Sequence, residues 1–276
     1  MSMTNNFFHD NQLSVSEGEL RREIRQLDEI HHDLSLPATV IASERWADES
    51  LGAAHEESWS QRSISRRGLL AGASVAAVGG ALFAVAPAMA GAATRGVRVS
   101  SNAKGYPATL TGDLAVAALA ASLENLGVYA YEAGISAAKA GKLGSVPPAV
   151  VTFASTAKAQ HVDHAAVWNS ILIKAGKARV TETDPALTPV VNSMFAKVKT
   201  VPALAALALE IENIAAATYQ AAISEVSSSS AMQVAASIQP VEMQHAAVLN
   251  LLLGHYPVPS AFSGTSLART PADLKA

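Results

Sequence analysis

At 276 residues and a formal net charge of −3, the chain is long enough for one or two domains and has no strong electrostatic bias toward nucleic acid or acidic membranes. Half of its residues are hydrophobic but only 5% are aromatic, and alanine dominates, which favours helices packed through small side chains over a β-sandwich. There is no cysteine, so disulfides, thiolate zinc sites, Cys-ligated iron–sulfur clusters and cysteine nucleophiles are excluded, and any metal must be held by oxygen and imidazole ligands.

Charge divides the chain. Residues 1–90 hold seven Arg against twelve Asp and Glu, whereas all nine lysines lie after residue 103. Residues 1–60 are polar and read as a largely disordered cytoplasmic leader. Within them Leu20, Ile24, Leu27 and Ile30 form a short amphipathic stripe followed by His31-His32, which offers a docking helix as the alternative. In residues 61–90, Ser65-Arg66-Arg67-Gly68-Leu69-Leu70 precedes about twenty apolar or small residues, and Ala88-Met89-Ala90 ends them with small residues at both cleavage-determining positions. This pattern looks like a twin-arginine export signal cut after Ala90, and it implies an exported protein that meets the twin-arginine translocation machinery. The other reading is a membrane anchor, so a membrane is involved only through the uncleaved segment.

Residues 91–110 read as a linker. A first long helix begins near Thr111 or Asp113 and runs to about Lys139, ended by Gly141 and Gly144. Pro147-Pro148 open a second, to about Lys174, stopped by Gly176. A longer connection, 177–200, holds Pro185, Pro189 and a short apolar piece. Pro202 opens the third helix, which ends at the serine run 227–230. The fourth covers about Ala231–Leu253 and stops at Gly254, with a kink expected at Pro240. Residues 255–276 carry three prolines and no period, and read as a strap over the helices of 111–254.

Two segments recur. Gln160-His161-Val162-Asp163-His164-Ala165-Ala166-Val167-Trp168-Asn169 aligns without gaps with Val241–Asn250, matching His164 to His245 and Asn169 to Asn250. Leu123-Glu124-Asn125-Leu126 and Ile211-Glu212-Asn213-Ile214 lead to Tyr131 and Tyr219 at the same offset. A duplicated helix pair predicts a pseudo-two-fold helical arrangement. Glu242 and His245, three apart, share a helix face and can offer a carboxylate oxygen and an imidazole nitrogen to one ion. Glu124 and Glu212 lie among apolar neighbours, where a carboxylate costs several kcal/mol unless paired or metal-bound. Glu124, Glu212, Glu242, His164 and His245 at matched offsets therefore predict one buried metal site. Glu210 falls on the opposite side of its helix and reads as solvated.

These residues resemble the ferritin-like superfamily, and most closely its exported bacterial ferritin-like domain proteins. The resemblance covers the last 165 or so residues. It implies an all-α four-helix bundle with a long crossover between helices 2 and 3. The superfamily's di-metal pattern is Glu, Glu-x-x-His, Glu, Glu-x-x-His on successive helices. Here Glu124, His161-x-x-His164, Glu212 and Glu242-x-x-His245 stand at those positions. His161 departs, occupying the place of a metal-bridging glutamate. A carboxylate can bridge two ions, while a neutral imidazole ordinarily binds one, which leaves an asymmetric pair or a single ion held mainly by Glu212, Glu242 and His245. Asp163 replaces His161 only if the helix rotates.

The resemblance also implies iron or manganese as the bound metal, with zinc compatible, and places Tyr131 and Tyr219 near it, the alternative being core tyrosines with satisfied hydroxyls. Its chemistry would be oxidation of the metal by dioxygen or peroxide. A homodimer is an allowed assembly, and no nucleic acid partner is expected. The competing reading is a non-catalytic structural or stress-related bundle with a degenerate site.

Overall fold

Apolar runs of some 25 residues, each opened by a capping residue or a proline, fold into four long helices. The computed structural model describes residues 15–52 and 110–275. Helix α3 spans Gly112–Lys139, α4 Pro148–Lys174, α6 Val201–Glu225 and α7 Ser229–Leu252. The crossover between α4 and α6 contains the short helix α5, Leu187–Phe195. All regular elements among the described residues are helical apart from an isolated bridge residue at Glu182. Thr200 caps α6 through the Ala203 amide, and Ser228 caps α7 through Ser230 and Ala231. The serine run thus starts the fourth long helix as much as it ends the third. Gly176 (φ 69°) and Gly254 (φ 78°) close the second helix of each copy in a left-handed conformation that other residues rarely adopt.

The copies pack as pairs, α3 on α4 and α6 on α7, with α3 also against α6. Two turns from each ligand pair, Asn169 and Asn250 do the same local job. Asn169 donates to Val180 and accepts from its amide, and Asn250 donates to Pro257, so each holds the segment that follows its helix. Asn125 adds hydrogen bonds to the Val180 and Glu182 carbonyls. Pro240 leaves α7 continuous; it and Ala236, whose carbonyl loses its usual partner, are exposed on the solvent side. Helices α3 and α6 are long and apolar enough to cross a membrane, yet each carries a buried glutamate and packs within this core. The region 61–90, read as an export signal, lies outside the described residues.

The leader corrects the sequence reading. Residues expected to be largely disordered form α1, Glu17–Ile30, a π-helical turn, His31–Ser35, and α2, Leu36–Gly52. Among the described residues, those up to Asp48 belong to the same compact unit as 110–275. The second unit, Glu49–Gly96, is described only through Gly52, at the end of α2. A full capping box, Ser16 with Glu19, starts α1. Leu20, Ile24 and Leu27 are then buried against Ala149, Phe153, Ala157, Val248, Leu249 and Leu252. Each such side chain contributes about 1.5–3 kcal/mol when fully removed from water. The Glu17 carboxylate accepts from the Ala149 amide, satisfying an orphan donor at the start of α4. Further along, Trp46 stands edge-on to Trp168 with centroids 6.1 Å apart. The polar average of this stretch concealed one apolar stripe with a partner more than a hundred residues away.

Beyond α7 the chain runs exposed through Tyr256, Val258 and Phe262. It returns where the Arg269 amide donates to Thr218 and a 3-10 turn, Pro271–Lys275, buries Leu274.

Candidate metal centre

Six side chains predicted from the sequence meet at one buried place between α3, α4, α6 and α7. Glu124, His161, His164, Glu212, Glu242 and His245 are all 3% exposed or less. They form two overlapping sets. Glu124, His161, His164 and Glu242 offer ligand atoms within 4.8 Å of one another, and so do His161, Glu212, Glu242 and His245. Two opposed bonds of about 2.0–2.2 Å to one ion span roughly 4 Å, so each set needs only a small contraction to grip a cation. His161 and Glu242, equivalent in the duplication, belong to both sets.

Their environments differ sharply. His161 is satisfied on both nitrogens, with Nδ1 2.7 Å from Glu124 Oε2 and Nε2 3.3 Å from Glu212 Oε1. Glu242 has neither oxygen in a hydrogen bond, although it is fully buried. His164 Nδ1 lies 3.0 Å from Glu242 Oε1, but the two do not align as donor and acceptor, and His164 Nδ1 is also without a hydrogen-bond partner. Buried polar atoms left in this way cost about 1–3 kcal/mol each, and more when charged. A carboxylate and an imidazole that converge without donating to each other are placed as two ligands of a shared cation are. The donor set of oxygen and imidazole nitrogen fits iron, manganese or zinc.

Protons hold the cluster together when no cation does. Burial opposes ionisation of Glu124, but the neighbouring His164 and His161 outweigh it and draw its pKa down to about 2. Glu212 is likewise held well below the usual range by His245 and His161 against the cost of burial. The imidazoles move the other way. Burial would lower them, yet Glu124 raises His164 to about 9, Glu242 and Glu212 raise His161 well above the ordinary imidazole range, and Glu212 raises His245. Divalent metal must therefore displace imidazole protons as it binds.

The tyrosines cross between the copies. Tyr131 donates to Glu212, and Tyr219 donates to Glu124, each reaching the carboxylate of the other copy. Burial, then the adjacent carboxylate, raises both phenols well above their ordinary value, so they stay protonated as donors. Trp168 donates Nε1–H to the Tyr219 hydroxyl at 2.8 Å and extends the network. Gln160, fully buried, has Oε1 2.7 Å from His245 Nε2. With Nε2–H donating there, His245 turns Nδ1 toward Glu212 and Glu242.

Two further residues escaped the sequence reading. Gly127 sits mid-helix, where a Cβ would lie 2.9 Å from the His161 ring, so its lack of a side chain makes room for that imidazole. Its counterpart in the second copy is Ala215, as Glu242 is the counterpart of His161. His31 of the leader is buried with its ring centroid 5.4 Å from that of His164. Its position at the end of the stripe Leu20, Ile24, Leu27 was the available signal. Burial, first of all, lowers its pKa despite the nearby Asp163. Asp163 points to His31 rather than into the cluster. Glu210 and His255 are exposed, and Glu132 pairs with Lys158 at 2.7 Å.

Comparison with curated proteins and with solved structures finds no match. The family described as Ferritin-like domain matches residues 112–255, which run from the start of α3 to just past α7 and include all six clustered side chains. That match spans more than half of the 276 residues, and the chain belongs to the ferritin-like domain family.

Proposed function

We propose that this is an exported ferritin-like four-helix bundle that holds iron or manganese in the buried Glu/His cluster and oxidises it with dioxygen or peroxide. The observation that carries the reading is Glu242, whose two buried oxygens make no hydrogen bond, stand among the imidazoles of His161, His164 and His245, and belong to both ligand sets. Glu124 and His164 on one side, and Glu212 and His245 on the other, would complete the coordination, with His161 and Glu242 between them. A bound divalent metal would supply open coordination positions for the oxidant and electrons for its reduction. The chain's own groups do the rest. Tyr131 and Tyr219 donate hydrogen bonds to Glu212 and Glu124, Gln160 orients His245, and the surrounding apolar side chains keep bulk water out. An apolar cavity of about 50 Å³, lined by Tyr131, Phe153, Leu204 and Leu249 among others, gives a small oxidant room beside the cluster.

His161 favours a second reading. Already bonded to Glu124 and Glu212, it can neutralise those carboxylates without metal, as in a structural bundle with a degenerate site. Elemental analysis of protein purified from its own compartment separates the two. Near-stoichiometric iron or manganese, with a rise in melting temperature on adding the metal to stripped protein, is the expected result. Substoichiometric metal and an unchanged melting temperature select the structural reading. N-terminal sequencing of the mature protein tests export, with Gly91 as the expected first residue.

A further inference from the structure

We propose that the leader builds a second transition-metal site, from His31, His32 and Asp163, which receives an ion at the surface and passes it to the buried cluster. The relay rests on the buried cluster binding metal; the outer site does not. Ligand atoms of these three residues lie within 4.8 Å of one another. They come from two elements distant in sequence, with His31 Nε2 3.4 Å from Asp163 Oδ2 of α4. Two imidazoles and one carboxylate suit zinc, manganese, iron or cobalt, with remaining positions open to water.

Three independent features point to a ligand. His31 is 1% exposed, with Nε2 turned toward Asp163 and the other ring nitrogen, Nδ1, without a hydrogen-bond partner, so this imidazole is buried with its hydrogen-bonding capacity only half used. The chain forms a π-helical turn at His31–Ser35, an uncommon conformation that recurs at functional sites. Finally, the rings form a graded path inward. His32 is half-exposed, its centroid is 5.1 Å from that of His31, and His31 stands 5.4 Å from His164. Asp28, 3.5 Å from His32 Nε2, adds an anionic neighbour at the outer end. Metal arriving at the surface meets carboxylates and an exposed imidazole first, then a buried imidazole, then a ligand of the inner cluster.

The test uses the full metal-free chain, cobalt(II) as the probe, and His32→Ala, a half-exposed substitution that leaves the packed stripe intact. Cobalt-soaked crystals should give an anomalous peak between His31, His32 and Asp163 in addition to density in the inner cluster. Solution titration should show one ion fewer in His32→Ala than in the parent. Stopped-flow absorbance should show the inner cluster filling at least about tenfold more slowly in the variant, in keeping with the usual effect of removing a group that supports a metal site. Equal stoichiometry and no outer peak overturn the proposal. An outer ion whose loss leaves the inner filling rate unchanged overturns the relay. If the outer peak forms while the inner cluster stays empty in Glu242→Gln and parent alike, the proposed function fails and the outer site stands. If only the inner cluster fills, the reverse holds.

Discussion

The two helix pairs are copies, yet they answer the same packing problem differently. In the first copy Gly127 lies against the His161 ring; the equivalent positions of the second copy are Ala215 and Glu242. The bulkier imidazole is thus accommodated by a residue with no side chain on the facing helix. The electrostatic result is an unequal pair. His161 closes its own hydrogen bonds between two carboxylates, whereas Glu242 closes none. His161 links one carboxylate of each copy, and Glu242 keeps both oxygens available as ligand atoms. The duplication thus supplies a symmetric frame of Glu124, Glu212, Tyr131, Tyr219, His164 and His245, within which one position has diverged.

The sharpest way to break this comparison is to neutralise each diverged residue in turn. Glu242→Gln should abolish high-affinity metal binding by calorimetry, because both ligand sets lose their shared carboxylate. His161→Gln should leave binding through Glu212, Glu242 and His245. Equal losses would mean that the copies contribute alike. Next in size, His161→Glu combined with Gly127→Ala writes the second copy onto the first. Metal-free protein should lose about 3–5 kcal/mol in denaturant unfolding, since Glu124 and Glu212 lose their buried cation and gain a like charge. Metal stoichiometry should rise to two ions, and a variant as stable as the parent without metal would refute the role given to His161.

Acidity supplies a third test. The raised pKa of His164 means that its contribution is complete below the unfolded value of 6.5 and is lost as pH rises through about 9, an effect of about 3 kcal/mol. The depressed Glu124 contributes fully above 4.5 and loses its contribution as pH falls toward about 2. Stripped protein should therefore be most stable between these limits, and added metal should flatten the alkaline decline in melting temperature. A melting temperature that climbs from pH 6.5 to 9 without metal would contradict the charged cluster. The smallest effect separates the tyrosines. Tyr131→Phe and Tyr219→Phe each remove one hydrogen bond to a carboxylate, but only Tyr219→Phe also leaves the Trp168 Nε1–H unpaired, so it should cost about 1 kcal/mol more by chemical denaturation. Equal losses would indicate that Trp168 only packs.

Much of this was legible in the sequence because a repeated offset resists chance. Glu124 and Glu212, or His164 and His245, in equivalent apolar settings point to one interior, and helix limits followed from Pro148, Pro202, Gly176 and Gly254. What could not be read depends on contacts between distant segments. The crossing of Tyr131 to Glu212 and Tyr219 to Glu124 follows from how the copies pack, which an offset within one copy does not contain. Gly127 made sense only once the His161 ring lay above it. The leader was obscured because composition averages over faces, and Leu20, Ile24, Leu27 and His31 occupy only one.

The docked leader has a consequence for timing. A tethered segment rebinds its own groove at an effective concentration near the millimolar range for short flexible links, an advantage that vanishes when the link is cut. If the chain is severed after Ala90, the cleavage expected of an export signal rather than of an uncleaved anchor, α1 and α2 become a separate peptide that dilution carries away. The mature protein would then leave behind Glu17 at the head of α4, Trp46 on Trp168 and His31 over His164. What remains would expose a freshly uncovered apolar furrow along α4 and α7, so that a single peptide-bond cleavage would turn a covered intracellular precursor into a protein with a vacant binding face.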